Sequence, residues 1–169
     1  MTQTQNKYPA LTFNGRLPDA FWSKVDKTDQ CWVWLGAISS SGYGMIRIDR
    51  KYHLVHRLSY ANHAKGVPEG MVVDHMCHNK ICVNPQHLRL TTHGQNHENY
   101  KGLPNHNKSG VRGVYWDNTT QSWRVIVQHD GKKHTKRGFA DIASAEQYSV
   151  QLRNQLHTHN DADRTGERK

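Results

Sequence analysis

A chain of 169 residues, 35% hydrophobic and 22% charged, suits one ordinary domain or two small ones, and this thin apolar content excludes a single large core. The longest uninterrupted aliphatic stretches, Met71–Val73 and Val125–Val127, exclude a membrane-spanning helix. A formal charge of +9, from 23 Lys and Arg against 14 Asp and Glu, points to a polyanionic partner and above all to nucleic acid.

Residues Met1–Lys7 lack the apolar run of a secretion signal, so the expectation is a soluble, cytoplasmic protein with no membrane partner. Phe21–Val25 reads as a short amphipathic turn or helix, and Cys31–Leu35 as a strand followed by turn residues Ser39–Gly42. Met45–Ile48 and Tyr52–Val55 read as strands joined through Asp49–Lys51. His56–Ala64 follows as a helix ended by Gly66 and Pro68, and Met71–His75 as another strand. After a loop holding Cys77, Cys82 and His87, Thr92 and Gln95 have capping-box spacing, which predicts a helix over His93–Tyr100 presenting Asn96. Gly102–Lys108 is a polar linker carrying Gly and Pro. Three strands come next, Gly113–Trp116, Ser122–His129 and Lys132–Phe139, the last two joined by the hairpin signal Asp130-Gly131. Ile142, Ala145, Tyr148, Leu152 and Leu156 recur at helical spacing behind Asp141 as N-cap. The fold class expected is α+β. The divisions are a first domain over 20–101, a linker over 102–108, a second domain over 109–157 and a disordered tail over 158–169.

An odd cysteine count in a basic chain argues against a disulfide framework. Cys77, Cys82 and His87 form C-x4-C-x4-H, three ligands suited to zinc, and Cys31 is the remaining cysteine available as a fourth. Three inert buried thiols are the bland alternative. Asp74 and His75 stand immediately before this loop. The pairing suits a carboxylate on a hard cation beside a neutral imidazole that takes a proton from water, with Asn96 offering a further oxygen ligand. Adjacent strand residues point to opposite faces, so sharing one site requires the strand to end or bulge there.

Residues from about Phe21 to Asn99 resemble the His-Asn-His (HNH) endonucleases, the ββα-metal nucleases, and most nearly their phage and homing-type members. The carrying stretches are Phe21–Val25, Cys31–Trp34, Gly42–Gly44, His56–Tyr60, Val73–His75 and Cys77–Leu88. The resemblance implies a ββα-metal nuclease domain with a structural zinc, His75 as general base, and Asp74 and Asn96 holding a catalytic Mg²⁺ or Mn²⁺. It puts His87 at the family's middle position, where zinc-containing relatives have a zinc ligand, holds Asn99 in reserve for the final one, and makes Arg57 a contact to the scissile phosphate or its neighbours.

From Ser109 to about Leu156 the chain resembles the Apetala/ethylene-response-factor DNA-binding domain, through Ser109–Val114, Trp116, Trp123–Val125, Gly138-Phe139 and the closing helix. The fold implied is a three-stranded antiparallel sheet packed on one helix and laid in the major groove. Arg112, Arg124, Lys132, Lys133, Lys136 and Arg137 would then contact DNA, with Trp116 or Trp123 against sugar and the other in the core. Between 101 and 137, eight basic residues stand against Asp117 and Asp130 alone, in keeping with such a surface, although a solvated Lys/Arg face has the same composition. The combined expectation is a metal-dependent endonuclease acting on double-stranded DNA as a monomer or homodimer. The rival expectation is a non-catalytic, zinc-containing DNA-binding regulator.

Overall fold

A computed structural model describes residues 10–11, 16–100 and 102–164. The chain divides into two compact units, residues 1–93 and 94–169, each built of short helices and small antiparallel sheets. No helix among the described residues is long and apolar enough to cross a membrane.

In the first unit, α1 (Asp19–Trp22) places Phe21 in a core with Leu17, Trp34, Val55, Leu58 and Val83. The chain then turns into β1 (Val25–Lys27), paired antiparallel with β2 (Trp32–Trp34), so of the turn or helix expected over 21–25 only Val25 lies in a strand instead. Pairing Val25 with Trp34 in the sheet shields an apolar residue that one helical turn could not cover. A hairpin of β3 (Met45–Ile48) and β4 (Lys51–Leu54) turns at Asp49 and Arg50, both at positive φ as a tight two-residue turn requires. Gly44 is needed for a different reason. A Cβ there would lie 2.6 Å from Val55 Cγ2 and 2.8 Å from Trp34 Cδ1. Gly44→Ala is expected to lower the stability of this unit by about 1–3 kcal/mol, measured by denaturant unfolding, because an overfilled core must shift to admit the methyl.

Helix α2 (Val55–Ala64) buries Leu58 against the first core and Ala61 against a second, formed with Val67, Val73 and Leu88. Strand β5 (Val72–His75), buried at all four positions, pairs antiparallel with β6 (Leu88–Thr91). A 3-10 turn, Pro85–His87, leads into β6, and α3 (His93–Glu98) follows it.

The second unit is a sheet in the order β7 (Val114–Asp117), β8 (Ser122–His129), β9 (Lys132–Phe139), covered by α4 (Ile142–Leu156). The hairpin turns at Asp130 and Gly131, both at positive φ, and the Asp141 carboxylate caps α4 by accepting from the Ser144 amide at 2.7 Å. Val114, Val125, Val127 and Ala145 form the core, with Trp123, Tyr148 and Leu152 packed against it.

The disordered tail expected over 158–169 is corrected for its first part, residues 165–169 lying outside the described ones. Helix α5 (Asp161–Arg164) forms there and buries Asp163 against Arg153, both side chains 4% exposed. Arg153 also donates to the Arg112 carbonyl at 2.8 Å and to Ser149 Oγ at 2.6 Å. A polar segment is thus ordered by a buried ion pair, which hydropathy does not register. Burial pushes the Asp163 carboxyl up, but the hydrogen bond and charge of Arg153 outweigh it and hold its pKa below the ordinary value. The pair's contribution is therefore present above the unfolded value of about 3.9 and lost as pH falls through the lower folded one. Arg153→Ala strands a buried carboxylate and is expected to cost about 3–5 kcal/mol, seen as faster hydrogen exchange of the β8 amides.

Candidate metal centre and nuclease site

The Cys/His loop is drawn to the start of β2 by backbone pairing. Val83 N–H donates to the Trp32 carbonyl at 2.8 Å and Trp34 N–H to the Ile81 carbonyl at 2.9 Å, which sets residues 81–83 along the edge of β2. Asn84 completes the join, its Nδ2 donating to the Gln30 carbonyl at 2.9 Å while its side-chain oxygen caps the 3-10 turn. Cys31 is thereby brought to Cys77, Cys82 and His87, with one ligand atom from each within 4.8 Å of the others. His87 Nδ1 lies 3.6 Å from Cys31 Sγ and 3.6 Å from Cys82 Sγ. Tetrahedral zinc, with metal–sulfur bonds of about 2.3 Å and a metal–nitrogen bond of about 2.05 Å, puts such atoms about 3.6 Å apart. The four residues fit a closed structural metal site.

The electrostatics agree with that donor set. A hydrogen bond from the Cys82 thiol draws the Cys77 thiol down to about 5, while Cys82, giving that bond in a buried place, is pushed up. The Asn84 amide points at Cys82 Sγ at 3.4 Å, a contact that favours a thiolate. A bound cation removes the remaining proton.

Beside this centre, β5 runs regularly through its end, pairing Asp74 with Arg89 and His75 with Leu88. Asp74 Oδ2 accepts from Arg89 Nε at 3.0 Å and Nη2 at 2.9 Å, a cross-strand ion pair. His75 takes other partners. Its Nε2 lies 3.1 Å from the Cys82 carbonyl, and its ring centroid lies 4.6 Å from that of His56 and 6.1 Å from that of Tyr43. A carbonyl can only accept, so Nε2 carries the proton and the neutral ring keeps its lone pair on Nδ1. Burial pushes His75 below its ordinary value, against the Cys77 charge and the Cys82 carbonyl, which raise it. His56 is pushed well below its own by burial, then by His75 and Arg57. Both rings are neutral at pH 7.

Arg57 Nη1 donates to the Met71 carbonyl at 3.1 Å. In the second unit Asn96 stands half-buried on α3 and Asn99 is buried just beyond it. Tyr43, His56 and Arg89 had no assigned role in the sequence. Arg89 becomes legible once β5 and β6 are paired in register, whereas the ring contact of His56 with His75 has no local signal.

Strand alternation sorts the basic residues of the second unit. Arg124, Arg137 and Lys133 fall on the open face of the sheet, Arg124 and Arg137 flanking Asp117 at 3.6 and 3.0 Å. Lys136 falls on the helix side, its Nζ 4.4 Å from the Tyr148 ring centroid, and Lys132 shares that side. Arg112 is drawn inward, donating from Nη2 to the Glu98 carbonyl at 2.9 Å. Trp123 packs on the core while Trp116 is 43% exposed, and both line a cleft of about 400 Å³ with Tyr115, Arg124, His106 and Lys108.

Residues 53–98 match the profile of the HNH endonuclease family. Three proteins of Escherichia phage T7 are similar. Protein 7.7 is 39% identical over 70 residues, 41% of this chain and 54% of that protein. Protein 2.8 is 32% identical over 81 residues, 42% of this chain and 56% of that protein. Protein 3.8 is 31% identical over 91 residues, 54% of this chain and 74% of that protein. The chain thus spans about half the length of the first two and three quarters of the third. No solved structure matches. An HNH profile falls across the strand pair that carries His75 and the Cys/His loop, and the chain belongs to the family of phage T7 Protein 3.8, with an HNH endonuclease domain at residues 53–98.

Proposed function

We propose that the protein is a metal-dependent DNA endonuclease of the homing type, with a structural zinc on Cys31, Cys77, Cys82 and His87. The observation that carries this reading is the set of His75: a buried, neutral imidazole with Nε2 oriented by the Cys82 carbonyl and its lone pair on Nδ1. That is the state a general base needs to take a proton from the water that attacks phosphorus. Asp74 and Asn96, by the family resemblance, would hold a magnesium or manganese ion, which would supply charge stabilisation to the phosphate and the leaving 3′ oxygen when bound. Arg57, which shares the half-buried face of α2 near β5, is assigned to the neighbouring phosphates.

The Asp74–Arg89 ion pair favours a second reading, a non-catalytic zinc-containing DNA-binding protein in which Asp74 serves only to join two strands. Incubation of the full chain with supercoiled plasmid and Mg²⁺ separates the two. The nuclease converts plasmid to nicked or linear product, with 5′-phosphate ends, and stops on adding EDTA. Binding without conversion would establish the regulator instead.

For residues 109–157 we propose DNA binding through the open face of the sheet, as the Apetala-type resemblance implies. Arg124, Lys133 and Arg137 lie on that face, while Lys132 and Lys136 lie on the helix side, Arg112 is turned inward to the Glu98 carbonyl, and the exposed Trp116 pairs with Trp123 at the edge of the sheet. Removing one basic side chain from a DNA phosphate flattens the log–log salt dependence of binding by about 0.9. Arg124→Ala with Lys133→Ala is therefore expected to reduce the slope by about 2, and Lys132→Ala with Lys136→Ala by less, in fluorescence anisotropy on duplex DNA across a salt series. Equal slopes for the two double variants would remove the open face as the binding surface.

A further inference from the structure

Glu98, His129 and His157 lie far apart in the sequence yet converge in the second unit, with one ligand atom from each within 4.8 Å of the others. Glu98 is the last residue of α3, His129 the last of β8, and His157 the residue that caps α4. Glu98 and His157 are buried, at 8% and 5% exposure.

The hydrogen bonds around the cluster fix what it presents. His157 Nε2 lies 3.0 Å from the Gln128 carbonyl, which can only accept, so that nitrogen carries the proton. Nδ1 of His157 then holds a lone pair, and it is buried with no hydrogen-bond partner. Glu98 Oε2 accepts from the amides of Thr158 and His159 at 2.9 and 3.2 Å, which orients the carboxylate and leaves Oε1 turned to His129 Nδ1 at 2.9 Å. His129 Nε2 meets the Asp130 carboxylate at 3.3 Å. Each imidazole thus has an acceptor on its outer nitrogen, the arrangement that orients metal-bound histidines. Arg112, the nearby cation, bonds the main-chain carbonyl of Glu98 and not its carboxylate.

We propose that Glu98, His129 and His157 form a second metal site, taking a borderline divalent cation such as zinc through Glu98 Oε1, His129 Nδ1 and His157 Nδ1. Two imidazoles and a carboxylate are a donor set of that class. Metal–nitrogen and metal–oxygen bonds of about 2.05 and 2.1 Å, at angles between square and tetrahedral, span about 2.9–3.4 Å, which includes the His129–Glu98 separation. On binding, the Nδ1 proton that His129 shares with Glu98 would be released to solvent, and the orphaned His157 nitrogen would gain its partner. The cation would fasten the end of α3, the β8–β9 turn and the exit of α4 to one point. This site is separate from the Cys/His centre and independent of whether the protein cuts DNA.

The test is zinc content after dialysis of the full chain, by elemental analysis. His129→Gln and His157→Gln are each expected to hold one equivalent fewer than wild type. Cobalt substitution should leave the thiolate-to-metal charge-transfer band of the cysteine centre unchanged in both. Equal metal content in wild type and both variants would overturn the proposal. Should a variant fail to fold, histidine side-chain nitrogen spectra of the wild type decide: zinc must shift Nδ1 of His129 and His157, and no shift at either overturns the site.

Discussion

The Cys82→Ser variant is expected to lose the metal of the Cys/His centre and to unfold the first unit, while the sheet of β7–β9 keeps its structure. Cys82 is fully buried, and its neighbours Ile81 and Val83 bond the edge of β2, so the ligand and the strand pairing occupy one short segment. The apolar cores here are small, one of six buried residues and another of four. Zinc binding in small modules is apparent at about 10–16 kcal/mol, comparable with the whole stability of a domain. Serine offers a poor ligand, and its hydroxyl leaves Cys31, Cys77 and His87 clustered without the cation that joins them. Elemental analysis with circular dichroism checks the outcome. A freshly purified, folded wild type without zinc would contradict the assignment, as would a Cys82→Ser protein as stable as its parent. Cys31→Ser should behave likewise, because it anchors the start of β2 to the same point.

His75→Ala is expected to lower plasmid cleavage by about 10²–10⁴-fold, the usual contribution of a single positioned base, with zinc content and DNA affinity unchanged. His75 contributes the hydrogen bond to the Cys82 carbonyl and ring contacts with His56 and Tyr43, but no sulfur or nitrogen to the zinc set. His56→Phe provides the contrast. It keeps a ring against His75 while removing a neutral imidazole, and should change cleavage far less. A His75→Ala protein that cuts near the wild-type rate at neutral pH would end the base assignment. Asn96→Ala should weaken Mg²⁺-dependent cutting and leave zinc in place, since Asn96 belongs to the proposed cation set alone.

What the sequence by itself determined is the part whose signals are local. Turn residues at Asp49-Arg50 and Asp130-Gly131, the strands they join, the Asp141 cap and the periodic face of α4 all follow from neighbouring residues, and they stand where expected except that β4 takes in Lys51 and ends before Val55, which opens α2. The Cys77, Cys82 and His87 set was legible for the same reason: its spacing lies within eleven residues. Cys31 was reached by elimination among three cysteines, but its place beside the loop depends on β2 pairing with residues 81–83, a contact across fifty positions. Tertiary structure alone decided the rest. Asp74 meets Arg89 because β5 and β6 pair in one register, and His75 meets the ring of His56 because α2 packs beside that strand. A polar tail folds because Arg153 and Asp163 bury each other, and Glu98, His129 and His157 converge because a sheet and a helix return the chain to one place. Hydropathy and spacing describe a residue's neighbours in the chain. A buried charge or an imidazole is defined by its neighbours in space, which only the packed structure supplies.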